Sequence, residues 1–227
     1  MALTEPSSWS ANSSYEATKM FCSQMNAKMT QRFYNIILLP NVQQNILRYK
    51  KLNYHLYMAV KKAMFKTGAF FKGFLLPLAE IATTRDAIIV GSILQKMSIN
   101  PLDVAAALMK LTSMEYKLGN GYFLKILLGK KYTLPTMVLD AVIDYFCKTG
   151  MQDQEQPTGE DGEEYDEEMD VEVSEMPVMW HQTMLSLVQC YKSYFSREQK
   201  NKIKALIKVQ NHYAITGEIR REMNFIE

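Results

Sequence analysis

The 227-residue chain is 48% hydrophobic and 22% charged, and 26 Lys and Arg against 24 Asp and Glu give a formal net charge of +2. These proportions exclude a disordered, collagen-like or disulfide-scaffold protein and leave length for one domain, or two, with a well-buried core. The near-neutral total hides a partition: residues 151–175 hold 12 of the 24 acids and no Lys or Arg, and the 26 cations against the 12 remaining acids leave +14 on the other 202 residues.

Read in chain order, residues 1–8 are expected to be a disordered N-terminal tail. Ser13-Ser14-Tyr15-Glu16 has the form of a capping box, predicting a helix to about Met29. Thr30 precedes the apolar run Arg32 to Leu39, which Pro40 is expected to end. Asn53 caps a helix to Lys66, Thr67-Gly68 breaks it, and a further segment runs from Ala69 to Ile81. Thr84 caps Arg85 to Met97, and Asn100-Pro101, an N-cap followed by proline at the first helical position, opens a helix to about Thr112. Gly119-Asn120-Gly121 is expected to be a turn before Tyr122 to Leu128. Pro135 opens Thr136 to Cys147, Pro177 opens Val178 to Tyr194, Ser196-Arg197-Glu198-Gln199 is a capping box for a helix to about Gln210, and Glu218 to Phe225 closes the chain.

No run alternates with period two between turn signals, so no sheet is expected. The expected fold is all-α, an irregular stack of helical hairpins resembling a HEAT/armadillo α-solenoid, as a single helical domain over residues 9–227. No self-similar repeat of fixed period is evident, which argues against a consensus TPR or ankyrin array. Residues 149–176 interrupt the pattern. Low hydrophobicity and dense like charge do not repay the entropy of ordering, so this stretch is expected to be a disordered acidic insert. It reads as a solvated loop, or as a strap that folds over the basic body in place of nucleic acid.

Several function classes lose support. Cys22, Cys147 and Cys190 form no CxxC pair and read as free thiols, and His55, His181 and His212 lack metal-ligand spacing. No phosphate-cradling glycine loop, dinucleotide fingerprint or nucleophile elbow occurs. No signal peptide is evident, and Ala69 to Ala82, the most apolar stretch, is broken by Lys72, Pro77 and Glu80 and too short to span a bilayer. Asp140 and Asp144 share a helix face, a spacing able to do acid–base work, but no histidine or third carboxylate accompanies them. Trp180-His181 reads as a structural tryptophan beside a hydrogen-bonded or capping histidine. The chain is therefore expected to be a non-enzyme with no cofactor, metal or small-molecule substrate, and with no membrane contact.

The cations point to a binding surface instead. Residues 17–79 hold ten Lys and Arg and no acid, whereas a merely solvated surface mixes signs. On a helix spanning 51–66, Lys51, His55, Lys62 and Lys66 fall within about 60° of one another, Leu52, Leu56, Ala59, Val60 and Ala63 take the adjoining core arc, and Tyr54, Lys61 and Phe65 lie beyond the stripe. Phosphate contact with stacking on splayed bases fits this pattern, as does an acidic protein partner. The candidate RNA- or partner-binding residues are Arg48, Lys50, Lys51, His55, Lys61, Lys62, Lys66 and Lys72.

The run Leu52-Asn53-Tyr54-His55-Leu56-Tyr57-Met58-Ala59-Val60-Lys61-Lys62-Ala63, continuing through Phe65-Lys66 into Ala69-Phe70-Phe71-Lys72-Gly73-Phe74-Leu75-Leu76-Pro77-Leu78, resembles the signature of the bystin family, eukaryotic small-subunit ribosome assembly factors. Tyr15 to Lys19, Phe33 to Pro40, Arg85 to Ser92, Lys130 to Pro135, Pro177 to His181 and Glu218 to Glu222 fit the same family in order, from about Trp9 to Glu222. The resemblance implies a non-enzymatic all-α scaffold on precursor small ribosomal subunits. Its implied partners are small-subunit pre-rRNA, ribosomal proteins of the head and beak, and other small-subunit assembly factors. Its implied setting is the nucleolus and nucleus, with passage to the cytoplasm on the particle and a role in pre-rRNA processing, maturation and export. Two features depart from the family: relatives usually carry a long charged N-terminal extension, whereas this sequence reaches the body almost at once, and the acidic stretch stands where relatives carry a shorter, variable connection.

Overall fold

The structure, a computed structural model, describes residues 5–151 and 176–224. Every regular element among the described residues is helical, with no strand. Ordered chain begins ahead of Trp9: Pro6–Ser8 form a single 3-10 turn, so only part of the expected tail, residues 1–4, lies outside the described residues. The disorder expected for the acidic insert likewise concerns residues 152–175, which lie outside the described residues; Thr149, Gly150 and Met151 are helical rather than part of it.

Helix α1 (Ala11–Gln24) starts one turn earlier than the apparent capping box, because Ser10 Oγ accepts the Ser13 amide and leaves Ser13 to Glu16 inside the helix. A break at Met25 and a second cap, Asn26 Oδ1 accepting the Met29 amide, begin α2 (Ala27–Phe33). The helix then passes through Pro40 without stopping. A π-helical turn over Tyr34–Leu38 joins α2 directly to α3 (Leu39–Tyr49). Proline lacks an amide and crowds the carbonyl four residues earlier; an extra residue in the turn before it relieves both.

The same device recurs. After α4 (Tyr54–Ala63), capped by Asn53 as the sequence predicts, a 3-10 turn at Met64–Lys66 leads into α5 (Thr67–Phe70). A second π-helical turn over Phe71–Leu75 follows, and then α6 (Leu76–Ile81) with Pro77 at its start. Thr67-Gly68 is thus a helix start, not a gap. Phe33-Tyr34-Asn35-Ile36-Ile37-Leu38-Leu39-Pro40 and Phe70-Phe71-Lys72-Gly73-Phe74-Leu75-Leu76-Pro77 share the pattern Phe-aromatic-x-x-apolar-Leu-Leu-Pro. The two wide turns pack on each other and α2 packs on α5, with Tyr34 Oη donating to the Ala63 carbonyl at 3.1 Å. The two wide-turned helices thus share a sequence pattern and lie in direct contact.

The second half follows local signals more closely. α7 (Thr84–Lys96) is capped by Thr83, one residue before the expected Thr84, in a reciprocal box with Asp86. α8 (Pro101–Leu111) starts at Asn100 as predicted. Gly119-Asn120-Gly121 is not a turn: it lies buried inside α9 (Leu118–Leu128). The glycines there admit neighbours, Ala82 against Gly119 and Tyr116 against Gly121, while Asn120 Nδ2 donates to the Leu111 and Glu115 carbonyls. α10 (Thr136–Met151), α11 (Val178–Tyr191), α12 (Arg197–Val209) and α13 (Thr216–Asn224) complete the chain, α12 opening on the predicted Ser196/Gln199 box. The main pairings are α1 on α4, α7 on α9, α9 on α11, α10 on α12 and α11 on α13. Buried apolar side chains from Phe33 to Met223 form one continuous cluster.

At the base of the acidic segment, Gln210 closes the fold. Its Nε2 donates to the Gly150 carbonyl and its Oε1 accepts the Met176 amide, both at 3.1 Å. Trp180, fully buried, donates from Nε1 to Thr149 Oγ1 at 3.0 Å, and His181 packs between the Trp180 and His212 rings, consistent with a structural reading of Trp180-His181.

Candidate nucleic-acid interface

The acid-free stretch 17–79 builds α1 through α6, and its cations are distributed over that half rather than along one stripe. Helix α4 buries Leu56, Ala59, Val60 and Ala63. Its most outward residues are Tyr54, 68% exposed, and Lys61, a pair seven positions apart. Phe65, 72% exposed, continues the line past the end of α4. Lys62 leans on this ring, with Nζ 4.1 Å from the Phe65 centroid, a cation–π contact. His55 is half-buried in the first turn, edge-on to Tyr54. The aromatic and cationic residues therefore form one surface, Tyr54–Lys61–Lys62–Phe65, with the aromatics within it rather than beyond it.

Lys66 does not join that surface. The helix tightens to a 3-10 turn before it, and its Nζ donates to the carbonyl of Met25, the residue ending α1, and to Thr30 Oγ1 at 3.5 Å. A cation at a helix C-terminus satisfies an orphan carbonyl and opposes the negative end of the dipole, so Lys66 ties α1 to α2 and α5.

The remaining candidates fall on separate ground. Arg48, exposed and 5.4 Å over the Tyr49 ring, borders a recess of 460 Å³ between Ser8–Ala11 and α3. Lys50 ends α3 in the left-handed conformation, φ 59°, and borders a different groove of 770 Å³ with Ile36, Leu47, Ile81 and Arg85. Lys51 is exposed in the link to α4, outside the helix on which the wheel places it. Lys72 is exposed on the second wide turn, over a 480 Å³ groove shared with Asp103 and Lys110.

Other residues singled out by the sequence are occupied. Asp140 accepts from Gln199 Nε2, and Asp144 pairs with Lys202 Nζ at 2.6 Å; both carboxylates link α10 to α12 and neither faces an enclosed site. The three cysteines are free thiols, Cys22 buried and the others half-buried; burial raises the thiols of Cys147 and Cys190 above the ordinary range. Among the described residues no three His, Cys, Asp or Glu side chains lie where they could hold a metal, and no helix is long and apolar enough to cross a membrane.

Helix α12 carries cations outside the acid-free window: Arg197, Lys202, Lys204 and Lys208 are exposed and Lys200 is half-buried. The i, i+4 spacing of Lys200, Lys204 and Lys208 is the signal that reveals them in sequence.

Comparison with known proteins gives a consistent kinship. The family model for bystin matches residues 1–226. The chain is 46% identical over 223 residues to bystin of Monosiga brevicollis, 46% to that of Bos taurus and 45% to that of Homo sapiens, each alignment covering 97% of this chain. It covers 49%, 47% and 46% of those relatives, so the chain spans about half the length of the curated relatives it matches. The family model matching nearly the whole chain and the 45–46% identity to these relatives show that the chain belongs to the bystin family.

Proposed function

We propose that this chain is a non-enzymatic assembly factor that binds precursor small ribosomal subunits and is needed for pre-rRNA processing, maturation and export. The observation that carries the reading is the stretch 17–79 within α1–α6: ten cations against no acid of its own, with Tyr54, Lys61, Lys62 and Phe65 gathered outward on one face. Lysines supply phosphate contact and register; exposed rings supply stacking for unpaired bases. In this reading the helices form an irregular α-solenoid of HEAT/armadillo type, whose partners are pre-rRNA, ribosomal proteins of the head and beak, and other assembly factors. Its place of action is the nucleolus and nucleus, with passage to the cytoplasm on the particle.

A second reading, a scaffold for acidic protein partners, draws on the 770 Å³ groove, where exposed Ile36, Leu47 and Ile81 stand beside Lys50 and Arg85. Changing Lys61 and Lys62 to Glu separates the two. RNA binding through α4 requires that affinity for pre-rRNA fragments fall and its dependence on salt flatten. Retained RNA affinity in that variant, with capture of assembly factors lost on changing Lys50 and Arg85 to Glu, supports the scaffold and overturns the RNA reading.

A further inference from the structure

Helix α12 presents a second cationic surface, built differently from that on α4. At 100° per residue Arg197, Lys204 and Lys208 lie within about 40° of one another, and at 1.5 Å per residue they span about 16 Å. Asn201 shares this outward side and Lys200 borders it, while Gln199, Ile203, Leu206 and Ile207 are buried on the opposite side. The nearby acids are turned away. Glu198 lies a quarter-turn off the ridge, and Asp140 and Asp144 of α10 are held on the far flank by Gln199 and Lys202. Among the described residues Arg197, Lys204 and Lys208 have no ion pair, so their charge faces solvent uncompensated.

The ridge also lacks what other partners need. No large apolar side chain stands on it, whereas a protein interface has an apolar centre. No aromatic lies within it to stack an unpaired base; the exposed Tyr194 and Tyr213 fall beyond its two ends. A straight row of cations with an amide between them suits a rigid row of phosphates, the feature by which double-stranded RNA is recognised.

We propose that the outward face of α12 is an RNA-backbone interface, seating the phosphates of a double-stranded RNA segment through Arg197, Lys204 and Lys208, while the α4 face takes unpaired bases. This rests on the RNA reading above. Because α12 packs chiefly on α10 and α13 and α4 on α1, the two faces belong to different halves of the chain, and one molecule can hold a duplex and its flanking single strand together.

Fluorescence anisotropy of the full chain tests this with two probes, an RNA duplex of about 20 base pairs and an unpaired strand of equal length, across a salt series. Replacing Lys204 and Lys208 by Gln should weaken duplex binding about tenfold at low salt and flatten the log–log salt slope by about 2, leaving the unpaired probe little changed. Arg197→Gln, in the first turn, is an independent variant expected to flatten it by about 1. Lys202→Gln, off the ridge on the same helix, should keep duplex affinity, and circular dichroism confirms folding of each variant. An unchanged slope, or an equal loss in Lys202→Gln, overturns the proposal, as does a loss confined to the unpaired probe. If the unaltered chain binds neither RNA, the RNA reading itself fails; if it binds the unpaired strand through Lys61 and Lys62 while the ridge variants keep duplex affinity, the ridge alone fails.

Discussion

Gly73 lies against the main chain of Gln31, so that a Cβ at position 73 would stand 2.4 Å from the Gln31 carbonyl oxygen. The obstacle is backbone, inside the contact between the two wide-turned helices, and no side-chain rotation relieves it. Gly73→Ala should therefore push α2 away from the second wide turn and destabilise the fold by about 3 kcal/mol, read as a lowered urea midpoint.

Lys66 and Lys61 should behave oppositely although the sequence places both in one candidate surface. Lys66→Gln removes the ammonium from the Met25 carbonyl and should cost about 1 kcal/mol of stability with little change in RNA affinity. Lys61→Gln should leave the melting temperature unchanged and weaken RNA binding at low salt. Loss of RNA affinity in Lys66→Gln equal to that in Lys61→Gln would put Lys66 back among the contact residues.

What separates these two lysines is also what limits the sequence reading. Asn53, Asn100 and Ser196 are legible because a cap is a bond between a side chain and an amide two or three residues away. Lys66 is not, because its partner lies forty-one residues earlier and the 3-10 turn takes it off the wheel. Pro40 and Pro77 have the look of helix ends; the wide turn ahead of each removes the conflict. Gly119 and Gly121 carry a turn signal, and only the positions of Ala82 and Tyr116 reveal close packing instead. The all-helical class survives these errors because apolar periodicity is summed over many residues. The candidate surface is more fragile: the acid-free window 17–79 draws attention to α4, whereas Glu198 and the neighbouring acidic stretch dilute the signal of α12.

High pH should loosen the core through its tyrosines. Burial pushes Tyr116 and Tyr191 up to about 12 from 10.0, and raises Tyr34 and Tyr145 further. Between the ordinary value and the raised one the unfolded chain has released protons that the folded chain still holds, so stability is full below pH 10 and falls as pH rises toward 12. Thermal melts from pH 8 upward should show that decline, with the buried phenols absorbing as phenolate only on unfolding. A melting temperature flat across this window would contradict the assignment.

One side-chain amide bonds both Gly150 and Met176, so the two ends of residues 152–175 are held near each other without that segment. Replacing 152–175 by a short Gly-Ser linker should leave the melting temperature within a few degrees, whereas Gln210→Ala should cost about 2 kcal/mol. By charge alone, removing the acids should also tighten RNA binding at low salt; unchanged affinity would end the idea of a strap that competes with nucleic acid.

The wide turn at Tyr34–Leu38 also sets a frame for the helix beyond it. On an uninterrupted α-helix Thr30, Phe33 and Ile37 would share one side and Val42 and Ile46 nearly the opposite one, yet all five are buried. One surplus residue retards the later part by about 100° and brings the two sets onto a common side. Deleting a single residue from Tyr34–Leu38 would therefore do more than shorten the helix. It would swing Val42 and Ile46 toward solvent and carry Arg48 and Lys50 round with them, altering what the protein shows to its partners by a change of phase alone.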